Sequence, residues 1–503
     1  MANVLYDALF GKHTGHDTPF LWLEDGTKIT HATFLDQAAQ FAYVLMDAGL
    51  AVGDRVAVQA EKSCASLAIY AACVQAGLVF LPLNTAYTAD EVQYFVQNSG
   101  ARVLVCDPAK ANTLSRILDE TDTQLETLDE AGAGSLADKA VNKATNFVTV
   151  DRKADDLAAF LYTSGTTGRS KGAMLSHKNL LSNSEVLGGL WQFTCDDVLL
   201  HALPIFHTHG LFVASNITLL AGGSMIFLPK FDLEVVIKKL PRATSIMGVP
   251  TFYTRLLSDT RFTKDLTAHM RLFVSGSAPL LAETHVEFEE RTGHRILERY
   301  GMTETNMNTS NPFDGERRAG TVGLPLPGVE VKVTDPNTGE TLPNGEIGIL
   351  EVRGENVFQG YWQMPEKTAE ELRENGFFIT GDIGVIDTDG YVQIVGRNKD
   401  LIISGGFNIY PKEIEEVLDA QDGVLESAVV GVTHPDFGET PVGVLVMQSG
   451  ETPNLSNIAT NLKDALARFK HPRKLIVMDA LPRNTMGKVQ KNLLREELKN
   501  LFS

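Results

Sequence analysis

Apolar runs alternate with segments of helical spacing through the first hundred residues. "DRVAVQ" (Asp54–Gln59) is strand-like, a helical pattern runs to about Ala76, and "LVFLPL" follows. "ADEVQYFVQNSG" (Ala89–Gly100) returns to helical spacing with a glycine stop, and "RVLVCD" closes the series. Strand, helix, strand, helix, strand predicts a parallel sheet covered by helices. The most apolar stretch, Leu67–Leu83, is interrupted by Gly77 and Pro82. It predicts a helix running into a buried strand rather than a membrane span. Lys110–Lys153 is polar and carries no readable period. From Asp156 the alternation resumes in "LAAFLYT", "VLLHALPIF", "GSMIFL", "SIMGVP" and "RLFVSGSAPL". Each short strand ends in a polar or glycine-bearing loop. In open α/β sheets ligands bind off the carboxyl ends of strands, so several of these loops are expected to converge on one site.

Around Val322 the texture changes to closely spaced strands with Pro/Asn/Gly turns, which predicts an antiparallel β subdomain over about 320–395. After "GRNKDLI" another α/β pattern begins, with "YPKEIEEVLDA" as helix and "ESAVVGV" and "VGVLVMQ" as strands. The expected fold class is α/β: a large N-terminal domain (1–397) of parallel α/β sheets with that β subdomain, and a small α+β C-terminal domain (398–503). The charged "RNKD" is the expected linker, with a hinge at about 398–400.

Bulk properties narrow the function. A chain of 503 residues implies two or three domains. Forty-four cations against 63 anions give a net charge of −19. That opposes generic binding to nucleic acid or anionic membranes and suits a soluble, cytoplasmic protein. Any anionic ligand must be met by local cations. The four cysteines, Cys64, Cys73, Cys106 and Cys195, form no C-x-x-C pair and read as free thiols of a reducing compartment. No signal-peptide pattern opens the sequence, and its final "NLFS" carries no lipidation or peroxisomal signal.

Candidate chemistry begins with "YTSGTTGRSKG" (Tyr162–Gly172): three glycines, five hydroxyls and two cations after an apolar run, with a helix-like segment from about Ser176. Such a loop can present N–H groups, hydroxyls and charge to anionic oxygen. It is not a Walker A loop, because Ser170 stands where the second glycine belongs and Gly172 follows Lys171. In "RYGMTETN", Thr303 can hold a phosphate oxygen and Glu304 a Mg²⁺ ion. The pair can equally cap a helix start. Asp382 in "FFITGDIG" can accept two hydrogen bonds from a ribose diol or make an Asx turn. "GRNKDLIISGGFNIYPKEIE" supplies Arg397, Gly405 and Gly406, and "LPRNTMGKVQKN" supplies Lys488. His207 and His209 in "FHTHG" lack a third ligand at useful spacing for a metal, and aromatic-flanked histidines more often line a pocket.

In this order the motifs resemble those of the adenylate-forming enzymes: acyl-CoA synthetases, adenylation domains and luciferases. The likeness covers essentially the whole chain. "HALPIFHTHGLFVASN", "MGVPTFYTRLL" and "ERYGMTETNMNTSNP" look like the malonyl-CoA synthetases among them. The resemblance implies ATP and CoA as co-substrates, Mg²⁺ as cofactor and malonate or methylmalonate as acid. It places the triphosphate on Thr163, Ser164, Gly165, Thr166, Thr167, Gly168, Arg169 and Lys171. Adenine falls between Ser277–Ala278 and Glu298, Arg299, Tyr300 and Gly301. Thr303 takes the α-phosphate, Glu304 the Mg²⁺, and Asp382 with Arg397 the ribose. Lys488 meets the carboxylate and α-phosphate from a mobile C-terminal domain that turns about Lys399, bringing Gly405 and Gly406 to a pantetheine channel. A second substrate carboxylate needs a cation. Arg255 is the expected one, four residues past Thr251 on a helix, with Ser275, His207 and Met302 as further pocket residues. His207 is also a catalytic candidate. Lys488 is an expected target of a lysine acetyltransferase and deacetylase. Other readings are a synthetase for a different small or aromatic carboxylate, or an adenylation module that charges a carrier protein.

Overall fold

The computed structural model describes residues 3–119, 121–163, 170–336, 338–404, 407–434, 437–451, 454–484 and 487–502. Strands β1 (Pro19–Trp22) and β2 (Lys28–Thr30) come first. A six-stranded sheet follows from β3 (Arg55–Gln59), β4 (Val79–Pro82), β5 (Val103–Cys106), β6 (Gln124–Thr127), β7 (Leu157–Thr163) and β8 (Lys171–Ser176), in the order β6-β5-β3-β4-β7-β8. It is parallel except at its β7–β8 edge. The helix Cys64–Ala76 between β3 and β4 is apolar all round and buried from Ala65 to Ala76. Ser63 opens it with a capping box, and Gly77 closes it at φ 71°, a left-handed turn that glycine adopts without strain. The polar stretch after Lys110 proves structured: a helix at Ala111–Leu118, strand β6 and a helix at Ser135–Ala140. Its period is hidden because β6 is an edge strand with Glu126 as its one buried residue.

A nine-stranded sheet is built from β9 (Val198–His201), β10 (Ser224–Phe227), β11 (Ser245–Gly248), β12 (Leu272–Ser275), β13 (Leu297–Met302), β14 (Asn306–Ser310) and β15 (Leu324–Pro325), together with β1 and β2. Its centre, β10-β9-β11-β12-β13, is parallel, and β14 turns back antiparallel to β13. The register sets Gly248 beside Ser275 and Ser275 beside Glu298. The carboxyl ends of β11 and β12 therefore lie in one row with the first residues of β13.

A four-stranded sheet, β16 (Val329–Thr334), β17 (Gly348–Gly354), β18 (Phe378–Ile386) and β19 (Val392–Arg397), runs in chain order. The last sheet holds β20 (Ile402–Ser404), β21 (Phe407–Ile409), β22 (Val424–His434), β23 (Gly438–Met447) and β24 (Lys474–Val477). Alternate residues of β22 and β23 face opposite sides. Val429 and Leu445 pack with Ile414 and Leu418 of one helix, and Val430 and Val444 with Leu494 and Leu498 of another. This is the expected α+β pattern. By internal packing the chain forms two compact units, Met1–Val331 with Val352–Phe378, and Lys332–Glu351 with Ile379–Ser503.

Candidate active site

In the first unit, Thr163 ends β7 directly opposite Lys171 at the start of β8. Ser164, Gly165, Thr166, Thr167, Gly168 and Arg169 lie outside the described residues. The helix His177–Leu190, capped by Ser176, begins only after all of β8. The phosphate-type sequence thus joins two antiparallel strands and does not lead into a helix N-terminus. Gly172 is required by close packing, because a Cβ there would stand 2.0 Å from the Phe160 ring. The segment after Val357 pairs with β8: Met174 donates to the Gly360 carbonyl at 3.0 Å and Trp362 to the Gly172 carbonyl at 2.8 Å.

That pairing brings Tyr361 and Glu371 to Lys171, and neither residue stands out in the sequence. The Lys171 ammonium is 3.2 Å from both Glu371 oxygens and 4.1 Å from the Tyr361 ring centroid. The Tyr361 hydroxyl is 2.6 Å from Glu371 Oε2 and 3.0 Å from Glu304 Oε1. Burial, then the charges of Glu304 and Glu371, drive the phenol far above its ordinary pKa. Burial opposes ionisation of Glu371. Hydrogen bonds from Tyr361, Lys367 and Lys171 outweigh it and hold the carboxyl below its usual value.

Thr303 and Glu304 occupy the turn between β13 and β14 and cap no helix. The Asn356 amide fixes this turn by donating to the Thr305 and Met307 carbonyls at 2.7 and 3.1 Å. Glu304 is buried, and the Phe358 N–H donates to its carbonyl at 2.8 Å. The described residues contain no cluster of three metal-ligating side chains. One hard carboxylate, linked through Tyr361 and Glu371 to Lys171, nevertheless suits Mg²⁺, which is commonly held by one or two carboxylates plus substrate phosphates.

The row of strand ends holds a second, oppositely charged feature. Arg299 is 4% exposed, and its Nε and Nη2 are buried without hydrogen-bond partners. Burial lowers its guanidinium pKa to about 9, with only Tyr253 opposing the shift. The guanidinium lies over Gly276, where a Cβ would be 2.3 Å from Arg299 Cζ. Around it are Ser275, with an unpartnered buried hydroxyl, and His209. His209 Nδ1 is 3.2 Å from Ser277 Oγ, and its Nε2 is buried and unpartnered. Burial, then Arg299, His207 and His201, keep His209 neutral. Ser277 holds φ 71°, a left-handed conformation uncommon for a non-glycine residue and often found at ligand sites. The His209 N–H donates to His207 Nδ1 at 3.4 Å. Glu298 is buried beside His285, and Tyr300, Gly301, Met302 and Ala278 are half-buried.

The sequence reading offers Arg255 as the cation for a second substrate carboxylate. It lies on the expected helix, Pro250–Leu257, but is exposed, while Tyr253 and Leu256 face inward. A spacing of four places it near Thr251, which is only half-buried, so the spacing selects an outer face. The enclosed cation is Arg299, which the sequence reading assigned to the nucleotide.

In the second unit, β18 pairs Asp382 with Arg397 of β19, and Arg397 Nε lies 2.6 Å from Asp382 Oδ1. Asp382 is buried, and its N–H donates to Thr380 Oγ1 at 3.0 Å. Lys399 sits in a 3₁₀ turn, Asn398–Asp400, whose Asp400 pairs with Arg495 of the last helix. Lys488 retains an exposed side chain, with its N–H bonded to Asn484 Oδ1 at 3.0 Å. Crowding by protein atoms, then Arg397 and Lys399, lower its ammonium to about 8 against the opposing pull of Asp382 and Asp400. Gly405 and Gly406 lie outside the described residues.

Comparison with known proteins identifies the family. The family model described as AMP-binding enzyme matches residues 10–362, and its C-terminal domain model matches 413–488. The chain is 34% identical to a malonate–CoA ligase of Arabidopsis thaliana, over 89% of this chain and 78% of the relative. It is 35% identical to a feruloyl-CoA synthase of an Amycolatopsis species, over 93% and 94%. Among solved structures, ATP-bound MatB from Rhodopseudomonas palustris superposes with a TM-score of 0.98 at 57% identity over the full length of both chains. Thr163 and Lys171 on two paired antiparallel strands, a buried Glu304 and an Asp382–Arg397 ion pair thus occur in a chain that belongs to the AMP-binding enzyme family.

Proposed function

We propose that the protein is an AMP-forming malonate–CoA ligase. The family supplies the reaction type. A carboxylate oxygen attacks the α-phosphorus of ATP, the bond to the β-phosphate oxygen breaks, and pyrophosphate leaves. The thiol of CoA then attacks the acyl carbon of the mixed anhydride, loses its proton and expels AMP. The carboxylate is an anion approaching an anion, so charge stabilisation carries the first step. In this reading Thr163, Lys171 and Thr303 hold phosphates, and Asp382 and Arg397 hold ribose. Lys488 is the cation for the reacting carboxylate. Mg²⁺ on Glu304 would neutralise phosphate charge when bound.

The choice of acid rests on Arg299. Curated relatives of nearly equal identity act on malonate and on a feruloyl group, so overall similarity does not decide it. An unpaired charge in a protein interior is costly and persists where an anion completes it. The distal carboxylate of malonate supplies that anion, with Ser275 and neutral His209 as further donors. A fatty or aromatic acid would leave Arg299 unpaired. No helix is long and apolar enough to cross a membrane among the described residues, in keeping with a cytoplasmic enzyme. The exposure of Lys488 is compatible with acetylation, which would delete its charge.

The test is AMP release with ATP, Mg²⁺ and CoA across malonate, methylmalonate, succinate, acetate, octanoate and benzoate. Activity confined to malonate and methylmalonate is expected. Activity on acetate, octanoate or benzoate without malonate would retain the chemistry and overturn the substrate.

A further inference from the structure

Lys171 is the one described cation of the phosphate-type hairpin, and it already has a carboxylate. It faces Glu371 through two contacts of 3.2 Å, with only 15% of its side chain exposed. We propose that Glu371 is an internal competitor for Lys171: a positioning residue that takes back the ammonium as pyrophosphate departs. This rests on the reading of Lys171 as a phosphate ligand.

Three observations support an exchange rather than a permanent bridge. Glu371 is the last residue of the helix Pro365–Glu371, where the helix dipole disfavours a carboxylate. Its side-chain partners therefore have to offset that position. Second, Glu371 keeps two other donors if Lys171 leaves: Lys367 at 3.0 Å and the Tyr361 hydroxyl at 2.6 Å. Releasing Lys171 strands no charge, so the pair can open at small cost. Third, Tyr361 has one proton and two carboxylates in reach. The shorter contact assigns that proton to Glu371. Withdrawal of Lys171 raises the demand of Glu371 for it. The tyrosine then presents a lone pair to Glu304, which suits a cation there.

The experiment is calorimetric titration of inorganic pyrophosphate, and separately ATP, into wild type, Glu371→Gln, Lys171→Ala and the double variant. Gln keeps the shape and the Tyr361 contact but not the charge. Glu371→Gln is expected to bind pyrophosphate about three- to tenfold more tightly, the range of a half-buried ion pair. Lys171→Ala should bind it more weakly, and the double variant should match Lys171→Ala, because the gain acts through the lysine. If Glu371→Gln binds pyrophosphate equally or less well while Lys171→Ala is weakened, Glu371 merely fixes Lys171 in place. The inference then fails and the phosphate reading stands. If Lys171→Ala binds both ligands as wild type does, the phosphate role of Lys171 fails and the inference with it.

Discussion

Replacing Arg299 by Met is expected to stabilise the protein while destroying its use of malonate. The guanidinium is held at about 9 almost entirely by burial, with no carboxylate among the groups that shift it. The gap to the ordinary guanidinium value corresponds to ~5 kcal/mol spent on retaining the charge. Met has a similar length and no charge. After allowing ~1–3 kcal/mol for imperfect filling of the site, a net gain of ~2–4 kcal/mol remains. Trp22, Trp191 and Trp362 all lie in the compact unit that contains Arg299, so urea unfolding followed by tryptophan fluorescence reports that unit alone. The variant should unfold at higher urea than wild type. Saturating malonate with ATP should raise the wild-type midpoint further, since a ligand that binds only the native state stabilises it. In the variant ATP alone should still raise the midpoint, and adding malonate to it should give no further rise. Malonate kcat/KM should fall at least a hundredfold, the loss expected when a positioned charge is removed. A lower midpoint for Arg299→Met would mean that the guanidinium is compensated, and the argument from an unpaired charge would collapse. Retained malonate activity in Arg299→Met, with loss in Arg255→Leu, would return the role to Arg255.

Gly276→Ala should act on the same contact from the other side. Its Cβ would displace the Arg299 guanidinium, so malonate KM should rise with little change in the KM for ATP; steady-state kinetics in both substrates checks this. Acid should destabilise the first unit through its buried histidines. His31 and His177 are lowered from 6.5 to about 4 by burial, with help from His13 and Arg152 respectively. The unfolded chain then takes up protons that the native one refuses, so stability present above pH 6.5 is lost as pH falls toward 4, by ~3 kcal/mol for each histidine. Urea midpoints at pH 7, 6 and 5 should show a smaller decline in His177→Phe, whose wild-type ring nitrogens are buried and unpartnered. An identical decline in that variant would exclude His177 as a source. Lys399→Pro should spare pyrophosphate exchange and impair thioester formation. Equal loss in both half-reactions would remove Lys399 as the hinge.

The legible parts of this molecule are those in which local sequence and final packing ask for the same thing. The helix Cys64–Ala76 and strand β4 were readable because Gly77 and the apolar run agree with their burial between layers. The Gly/Ser/Thr stretch after β7, Thr303–Glu304, Asp382 and Arg397 each stood out in a short contiguous motif, but the antiparallel return of β8 and the Thr303–Glu304 turn were not legible, and Asp382 meets Arg397 only through the register of β18 with β19. What escaped is held together by register and not by sequence distance. Glu371 reaches Lys171 across 200 positions because the chain near Gly360 pairs with β8. Arg299 was visible only as part of "ERYG". Its enclosure depends on Ser275 and Gly276 ending the neighbouring strand and on the histidines of a distant loop. Arg255 shows the converse. Helical spacing ranks residues by face but does not reveal which face the sheet will cover, and here Tyr253 takes the inner one through its hydroxyl to the Val274 carbonyl at 2.5 Å. Specificity in such a site therefore has to be argued from which charge the fold encloses without a partner. By that criterion Arg299 is the residue we propose for the distal carboxylate of the acid.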